Sequence, residues 1–433
     1  MELIVDLHIH SRYSRATSKD SNLEGLYRWG KIKGINIIGT GDFTHPAWFA
    51  EIQDKLEPAE PGLFKLRQDL AIAIDKTLPA SIRKNLIRFA LTVEISNIYS
   101  KNEKVRKLHN LVIMPSVKAV SQFNSALERI GNLKADGRPI LGLDSKQLLT
   151  LTLDTDPSAL FVPAHIWTPW FSMFGSKSGF NSIDEAFEEL APEIKAIETG
   201  LSSDPFMNWR IAELQKVTII SNSDAHSPQK LGREATILQS QVDYHDIING
   251  IKTNDRRIVG TIEFFPQEGK YHYDGHRACN IRFSPKQTKN HQGLCPVCHQ
   301  SLTVGVDNRV NELANLAEDY QPKRHKVVEY IIPLIEILAE MQEKTTAAKA
   351  VQTAYRKVIL DLGNEFTILR KMPIIEIKDA GYEALAKAIV RMRQKEVHVE
   401  PGYDGVFGTI KLFTSNEERK KQLTEQLGLG WET

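Results

Sequence analysis

Cysteine is nearly absent: there are three in 433 residues, all between Cys279 and Cys298. That scarcity excludes a disulfide framework, and the clustering points to metal binding in a reducing compartment, which predicts a cytoplasmic, nucleoid-associated protein. Long apolar runs are missing too. The most apolar helical stretch, Val327 to Ala339, carries Glu329, Pro333 and Glu336 and is too short to span a bilayer, so no membrane partner is expected. Asp6, His8 and His10 interrupt the only early apolar run, which argues against a signal peptide. Charge of one sign is also lacking. At a net +1 no global field announces nucleic acid, and such a partner must be held by local patches. There is no Walker loop, no dinucleotide fingerprint, no internal repeat and no low-complexity tract.

What is present begins with Asp6-Leu7-His8-Ile9-His10, at the end of the apolar run Leu3-Ile4-Val5. Alternate residues of a strand share a face, so the carboxylate and both imidazoles point one way beside a buried core. Such a group is costly to bury without a compensating cation. Further apolar runs end the same way. Ile35–Gly39 leads to Asp42 and His45, Phe89–Val93 to Glu94, Leu160–Pro163 to His165, Ile194–Ile197 to Glu198, and Val217–Ile220 to Asp224 and His226. Strands alternating with helical stretches (Leu23–Lys33, Leu63–Leu78, Val120–Ile130, Ile183–Leu190, Pro205–Lys216) read as an α/β barrel or layered sheet. In a β/α barrel the C-terminal strand ends converge on one face, where these residues meet. His109 precedes its apolar run, Leu111–Met114, and reads by itself as a strand-edge residue.

The candidate barrel ligands are His8, His10, Asp42, His45, Glu94, His109, His165, Asp224 and His226. Imidazoles and carboxylates without thiolate suit zinc, manganese or magnesium, and their number exceeds the needs of one ion. A cluster bridged by a carboxylate such as Glu94 is expected, an arrangement suited to phosphoester hydrolysis by metal-activated water. Trp167, Trp170 and Phe171, just after His165, read equally as a self-packed loop or as an aromatic wall for a base. Glu198 joins them as a candidate substrate contact. Downstream, His276-x-x-Cys279 and Cys295-Pro-Val-Cys298 have the spacing of a structural zinc knuckle, with His272, His291 and His299 as alternative fourth ligands. Helical periodicity then fills Val310–Glu318, Val327–Lys344, Ala347–Arg370 and Ala380–Arg393. The organisation read from these shifts is 1–262 barrel, 263–306 zinc-binding knuckle, 307–413 helical region and 414–433 charged tail.

Asp6-x-His8-x-His10, Gly41-Asp42, Glu94, His109, Pro163-Ala164-His165 and Ser223-Asp224-Ala225-His226 resemble the polymerase-and-histidinol-phosphatase (PHP) superfamily. The longer motifs around His165, Glu198-Thr-Gly-Leu-Ser-Ser-Asp, Ser221 to Pro228, Gly232-Arg-Glu-Ala235 and Tyr271 to Cys279 resemble endonuclease Q more specifically. The resemblance implies a distorted (β/α)7 PHP barrel with a multinuclear metal site. It also implies a DNA-repair endonuclease cutting 5′ of deaminated bases (uracil, hypoxanthine, xanthine) and abasic sites, with Asp224 a metal-binding residue needed for catalysis. Where the superfamily has Thr-Asp-His the chain reads Gly41-Asp42-Phe43, and a further ligand position falls at Ala16. Those departures predict two firmly held ions and a weaker third. The alternative within the superfamily is a phosphatase acting on a small phosphomonoester.

Overall fold

The apolar run that opens the chain becomes strand Glu2–Asp6, and the rest of the sheet is laid out from it in the computed structural model, which describes residues 1–413. The strand pairs in parallel with Ile37–Gly39 (Val5 opposite Ile37) and antiparallel with Ala235–Gln239 (Val5 opposite Thr236). Ile37–Gly39 continues in parallel to Arg88–Lys101, which folds back on Lys104–Met114, and that strand pairs antiparallel with Leu160–Pro163. On the other flank, Ala235–Gln239 pairs antiparallel with Ile258–Glu263. The result is a mixed α/β protein with an eleven-stranded mixed sheet among the described residues. A separate parallel pair, Ala196–Glu198 and Thr218–Ile220, bridges its ends: the Ile166 amide donates to the Glu198 carbonyl, and the Ser221 amide to Thr236 Oγ1 at 3.0 Å. Alternation along each strand then sends Leu3, Val5, Leu7, Ile37, Ile113, Val162, Ile220 and Leu238 into one inner apolar cluster, while Ile4 and Ile38 face the outer helices.

Local chemistry sets the helix ends. Leu23–Lys33 starts at Asn22, whose side chain accepts from the Gly25 amide, and stops at Gly34 with φ +88°, a conformation that favours glycine. Two expected helices are partly strand. Leu63–Leu78 divides into strand Phe64–Leu66 and helix Gln68–Asp75. Val327–Lys344 divides into strand Val327–Tyr330 and helix Leu334–Met341, with Pro333 between them. The β-branched pair Val327-Val328 extends the sheet in parallel beside Ile258–Glu263, so a tertiary edge overrides the helical periodicity. Among the described residues the sheet is followed by α-helices Leu334–Met341, Lys349–Leu362, Ile374–Asp379 and Glu383–Arg393, with a π-helical turn at Thr367–Lys371. No helix among the described residues is long and apolar enough to cross a membrane. The charged tail read from the sequence at 414–433 lies outside the described residues.

Two carboxyls, Glu234 and Glu263, are fully buried in the sheet, and burial with the Glu263 charge nearby holds Glu234 well above the usual carboxylate range. Burial chiefly, with Asp204 nearby, pushes Glu263 from the ordinary 4.5 up to about 8, although Ser221 donates to it at 2.5 Å. Across that window the native state holds a proton that the unfolded chain releases, so stability falls as pH rises from about 4.5 to about 8. Glu263→Gln removes the burial of charge. Thermal unfolding at about pH 5 and about pH 8.5 should show the variant gaining on the parent at the higher pH. Parallel curves would place Glu263 outside this balance.

Candidate metal centre

Each side chain reaches the rim for a local reason. Asp6 accepts from the Ser223 amide and hydroxyl at 3.0 and 2.6 Å and from the Gly232 amide at 2.9 Å, which ties the loop carrying Asp224 to the first strand. Ile9 bridges to Ala225, with the His10 amide on the Ala225 carbonyl at 2.9 Å. Asp224, Asp42 and His165 sit in the left-handed region, at φ +46°, +49° and +29°. Non-glycine residues held there are strained and cluster at functional sites. His109 belongs to a strand running opposite to its neighbours, so it reaches the same rim from the start of its apolar run. Glu94 pairs opposite Leu111 and Ser96 opposite His109, making Glu94 and His109 diagonal neighbours on one face.

These residues form two groups that share one carboxylate. Glu94 Oε2 lies 3.2 Å from His10 Nε2 and 3.5 Å from His8 Nε2, and Asp224 Oδ1 lies 3.0 Å from His10 Nε2. Glu94 Oε1 lies 2.7 Å from His109 Nδ1 and 3.0 Å from His165 Nε2. Within each group the ligand atoms all lie within 4.8 Å of one another. His8 Nε2, His10 Nε2 and Asp224 Oδ1 are buried without a hydrogen-bond partner. Buried polar atoms are normally satisfied, so three that converge on one point fit a divalent cation. Burial alone would raise Glu94, but the charges of His109, Arg138 and His8 hold its carboxyl well below the usual range. It is available as an anion.

A supporting layer fixes the imidazoles. Glu198 is fully buried behind His8, accepting from Nδ1 at 2.9 Å, from the His165 amide at 2.9 Å and from Asn222 at 2.8 Å. It therefore orients a ligand-type histidine from a position closed to substrate. Asp42 does the same for His10 at 3.2 Å while its other oxygen accepts from Ser11 and Ser14. Carboxylates behind histidines fix ring orientation and raise basicity. His226 stands beside the His10 ring at 4.4 Å, half-exposed. His45 stacks on Tyr13 at 4.3 Å, apart from both groups. In the aromatic loop Trp167 is buried and donates to Asn208 at 2.8 Å, Phe171 packs on His109 at 4.8 Å, and Trp170 faces out.

Arg138 has no counterpart in the sequence reading. Its Nη1 sits 3.0 Å from Glu94 Oε2, carried on a loop whose Gly137 lies so close to Asp42 that a Cβ there would meet Oδ2 at 2.3 Å. A lone arginine in a turn gives no periodic or spacing signal; the local signal available is the turn chemistry of Asp136-Gly137-Arg138-Pro139.

The second candidate metal group is His276, Cys279, Cys295 and Cys298, again within 4.8 Å. His276 ends strand Asp274–His276, and Asn280, left-handed at φ +53°, turns the chain back into Ile281–Phe283. Burial raises the Cys295 thiol, but the backbone amides of Cys298 and Val297 bring it down to about 7. None of the alternative fourth ligands His272, His291 and His299 joins this group; His272 stacks on Tyr273 and His291 on Phe283. Tetrahedral donors of this kind suit structural zinc.

The fold and its rim thus define a mixed α/β protein with a divided histidine–carboxylate centre and a small Cys3His module. The chain is a structural homologue of endonuclease Q. It superposes on the lesion-specific endonuclease PfuEndoQ of Pyrococcus furiosus with a TM-score of 0.81 and 28% identity, over 97% of this chain and 99% of that one. It matches an endonuclease Q held with a 27-mer duplex substrate, an abasic lesion at the active site, equally well: TM-score 0.81, 29% identity, 96% and 100% coverage. Residues 333–396 match the family described as the MJ0043 C-terminal domain. Uncharacterized protein MJ0043 of Methanocaldococcus jannaschii is 33% identical over 56% of this chain, which spans only 31% of that protein's length. Uncharacterized protein YqxK of Bacillus subtilis is 29% identical, over 70% of this chain and 74% of its own.

Two substitutions separate the layers. Glu198→Gln should lower the affinity of the rim for divalent metal about 10–100-fold, read by chelator competition, while the Cys3His zinc is retained. Cys295→Ser should lose one equivalent of zinc by elemental analysis and destabilise its module, because knuckle folding is coupled to metal. Full zinc content in that variant would remove Cys295 from the ligand set.

Proposed function

We propose that the protein is a metal-dependent DNA-repair endonuclease. It hydrolyses the phosphodiester 5′ of deaminated bases (uracil, hypoxanthine, xanthine) and of abasic sites, leaving a 3′-hydroxyl and a 5′-phosphate. The observation that carries the reading is the division of Glu94, one oxygen to each ligand group. It is supported by end-to-end similarity to an endonuclease Q that holds lesion-bearing duplex at its active site.

In this reading residues 1–262 are a distorted (β/α)7 barrel of the PHP kind, 263–306 the zinc-knuckle module and 307–413 the helical region. His8, His10, Glu94 and Asp224 would hold one ion, and Glu94, His109 and His165 a second. His226, beside His10, is the candidate for a weaker third. Divalent ions held there would lower the pKa of bound water toward neutrality and neutralise charge on the phosphate. The chain's own residues do the rest. Glu198 and Asp42 keep the His8 and His10 rings aimed, and Asp6 holds the Asp224 loop in register. Arg138, partly open to the rim, meets an incoming phosphate beside Glu94 and adds a guanidinium suited to its geometry.

The test is incubation of the protein with a 5′-labelled oligonucleotide bearing uracil or an abasic site, with manganese or magnesium. Cleavage at the 5′ side is expected, with loss of cleavage but retained binding in Asp224→Ala. Intact DNA under every divalent ion, in protein carrying a full metal load, would overturn the reading. Turnover of small phosphomonoesters in that case would favour the phosphatase alternative.

A further inference from the structure

Phe407 and Trp170 are the most exposed Phe and Trp among the described residues, at 70% and 39%, and 237 positions of sequence do not keep them apart. They lie on one strip. Trp170 sits edge-on to Tyr271 at 5.5 Å; Lys270 stands over the Tyr271 ring at 5.6 Å and over the Phe407 ring at 5.9 Å. At its other end the strip reaches the metal centre, because Thr168 Oγ1 donates to the Trp170 carbonyl at 2.9 Å and lies 3.4 Å from His165 Nδ1.

Phe407 is held out firmly. Tyr403 and Val406 exchange both backbone hydrogen bonds, at 2.9 and 2.7 Å, round a turn in which Gly405 takes φ +85°. The Gly405 amide donates to the Lys270 carbonyl at 2.8 Å and the Gly408 amide to the Glu268 carbonyl at 3.0 Å, so the turn is fastened to the segment that carries Lys270 and Tyr271. Among the described residues Phe407 meets only the Lys270 ammonium over its ring, and an exposed aromatic strip of this kind marks an interaction site. Aromatic faces interleaved with an ammonium are the surface on which successive nucleic-acid bases stack while the cation tracks the backbone. Inserted aromatics also part base steps where a nucleotide is taken out of the helix.

The geometry points to Trp170, Tyr271, Lys270 and Phe407 forming a base-stacking strip that engages the nucleotides next to the lesion; this rests on the endonuclease reading above. The strip binds bases without reading their identity, and the metal centre at its inner end meets the phosphate.

Equilibrium binding to a duplex with one abasic site, without added divalent metal, tests it. Fluorescent 2-aminopurine is placed at each position flanking the lesion, in either strand. The parent should quench at least one of these positions. Phe407→Ala and Trp170→Ala should each bind about 10-fold more weakly and lose quenching, and Phe407→Trp should restore both. Phe407→Ala is decisive, because that residue touches none of the metal-centre side chains. If the parent binds and cuts but both alanine variants bind and quench as it does, the strip is not a nucleic-acid surface and only this inference falls. A parent dimer made monomeric by Phe407→Ala, with quenching unchanged, would assign the patch to a second copy of the chain and overturn it equally. A parent that neither binds nor cuts lesion DNA would bring down the endonuclease reading as well.

Discussion

One buried carboxylate organises the rim. Glu94 is surrounded by four imidazoles and a guanidinium at 2.7 to 3.5 Å. A single ionised carboxyl in a low-dielectric interior is costly, and the cost is offset only by excellent geometry. The long hairpin Arg88–Lys101 and Lys104–Met114 provides that geometry, because a paired strand fixes which face Glu94 occupies and at what height. A slip of one residue would turn Glu94 and His109 into the opposite layer. Register in the hairpin is therefore also register in the centre.

Around that carboxylate a layer of buried polar groups serves orientation. Asp42, Glu198 and Ser14 are buried and hydrogen-bonded to an imidazole, Asp6 to the loop that carries Asp224, and Ser11 and Asn222 to the carboxylates of Asp42 and Glu198. The left-handed backbone at Asp42, His165 and Asp224 has the same meaning: strained conformations persist where surrounding contacts over-determine them. A centre built this way is already aimed before anything binds, which removes reorganisation from the reaction itself.

Much of this was legible in the sequence, for a physical reason. Strands buried on both faces are continuous apolar runs, and a polar residue at the end of such a run has few places to go except the rim. Hence His8, His10, Glu94, His165 and Asp224 could be collected without coordinates, as could the Cys3His spacing. What escaped is what spacing cannot encode. Arg138 arrives on an irregular loop. The antiparallel course of Lys104–Met114, which brings His109 to the rim, depends on its partners. Val327–Tyr330 reads as helix by period and becomes strand because an open sheet edge is beside it. Glu198 reads from the sequence as a substrate contact because a strand-end carboxylate has two neighbours, the rim and the layer behind it, and sequence does not choose between them.

The same distinction explains why the aromatic loop divides. Trp167 is buried and donates its indole N–H to Asn208, which anchors the insertion, so the loop carries its own core. That anchoring is what permits Trp170, three residues on, to be held in solvent next to Tyr271 rather than collapsing onto the rim. Phe171 then packs on His109, and its carbonyl accepts from the His109 amide at 3.0 Å, joining the loop to the hairpin that carries Glu94. The two readings open at the sequence level, self-packed loop or aromatic wall, are thus not exclusive. One half of the insertion provides the stiffness that the outward half requires, and the chain couples its exposed surface to the histidine–carboxylate rim through a single short loop.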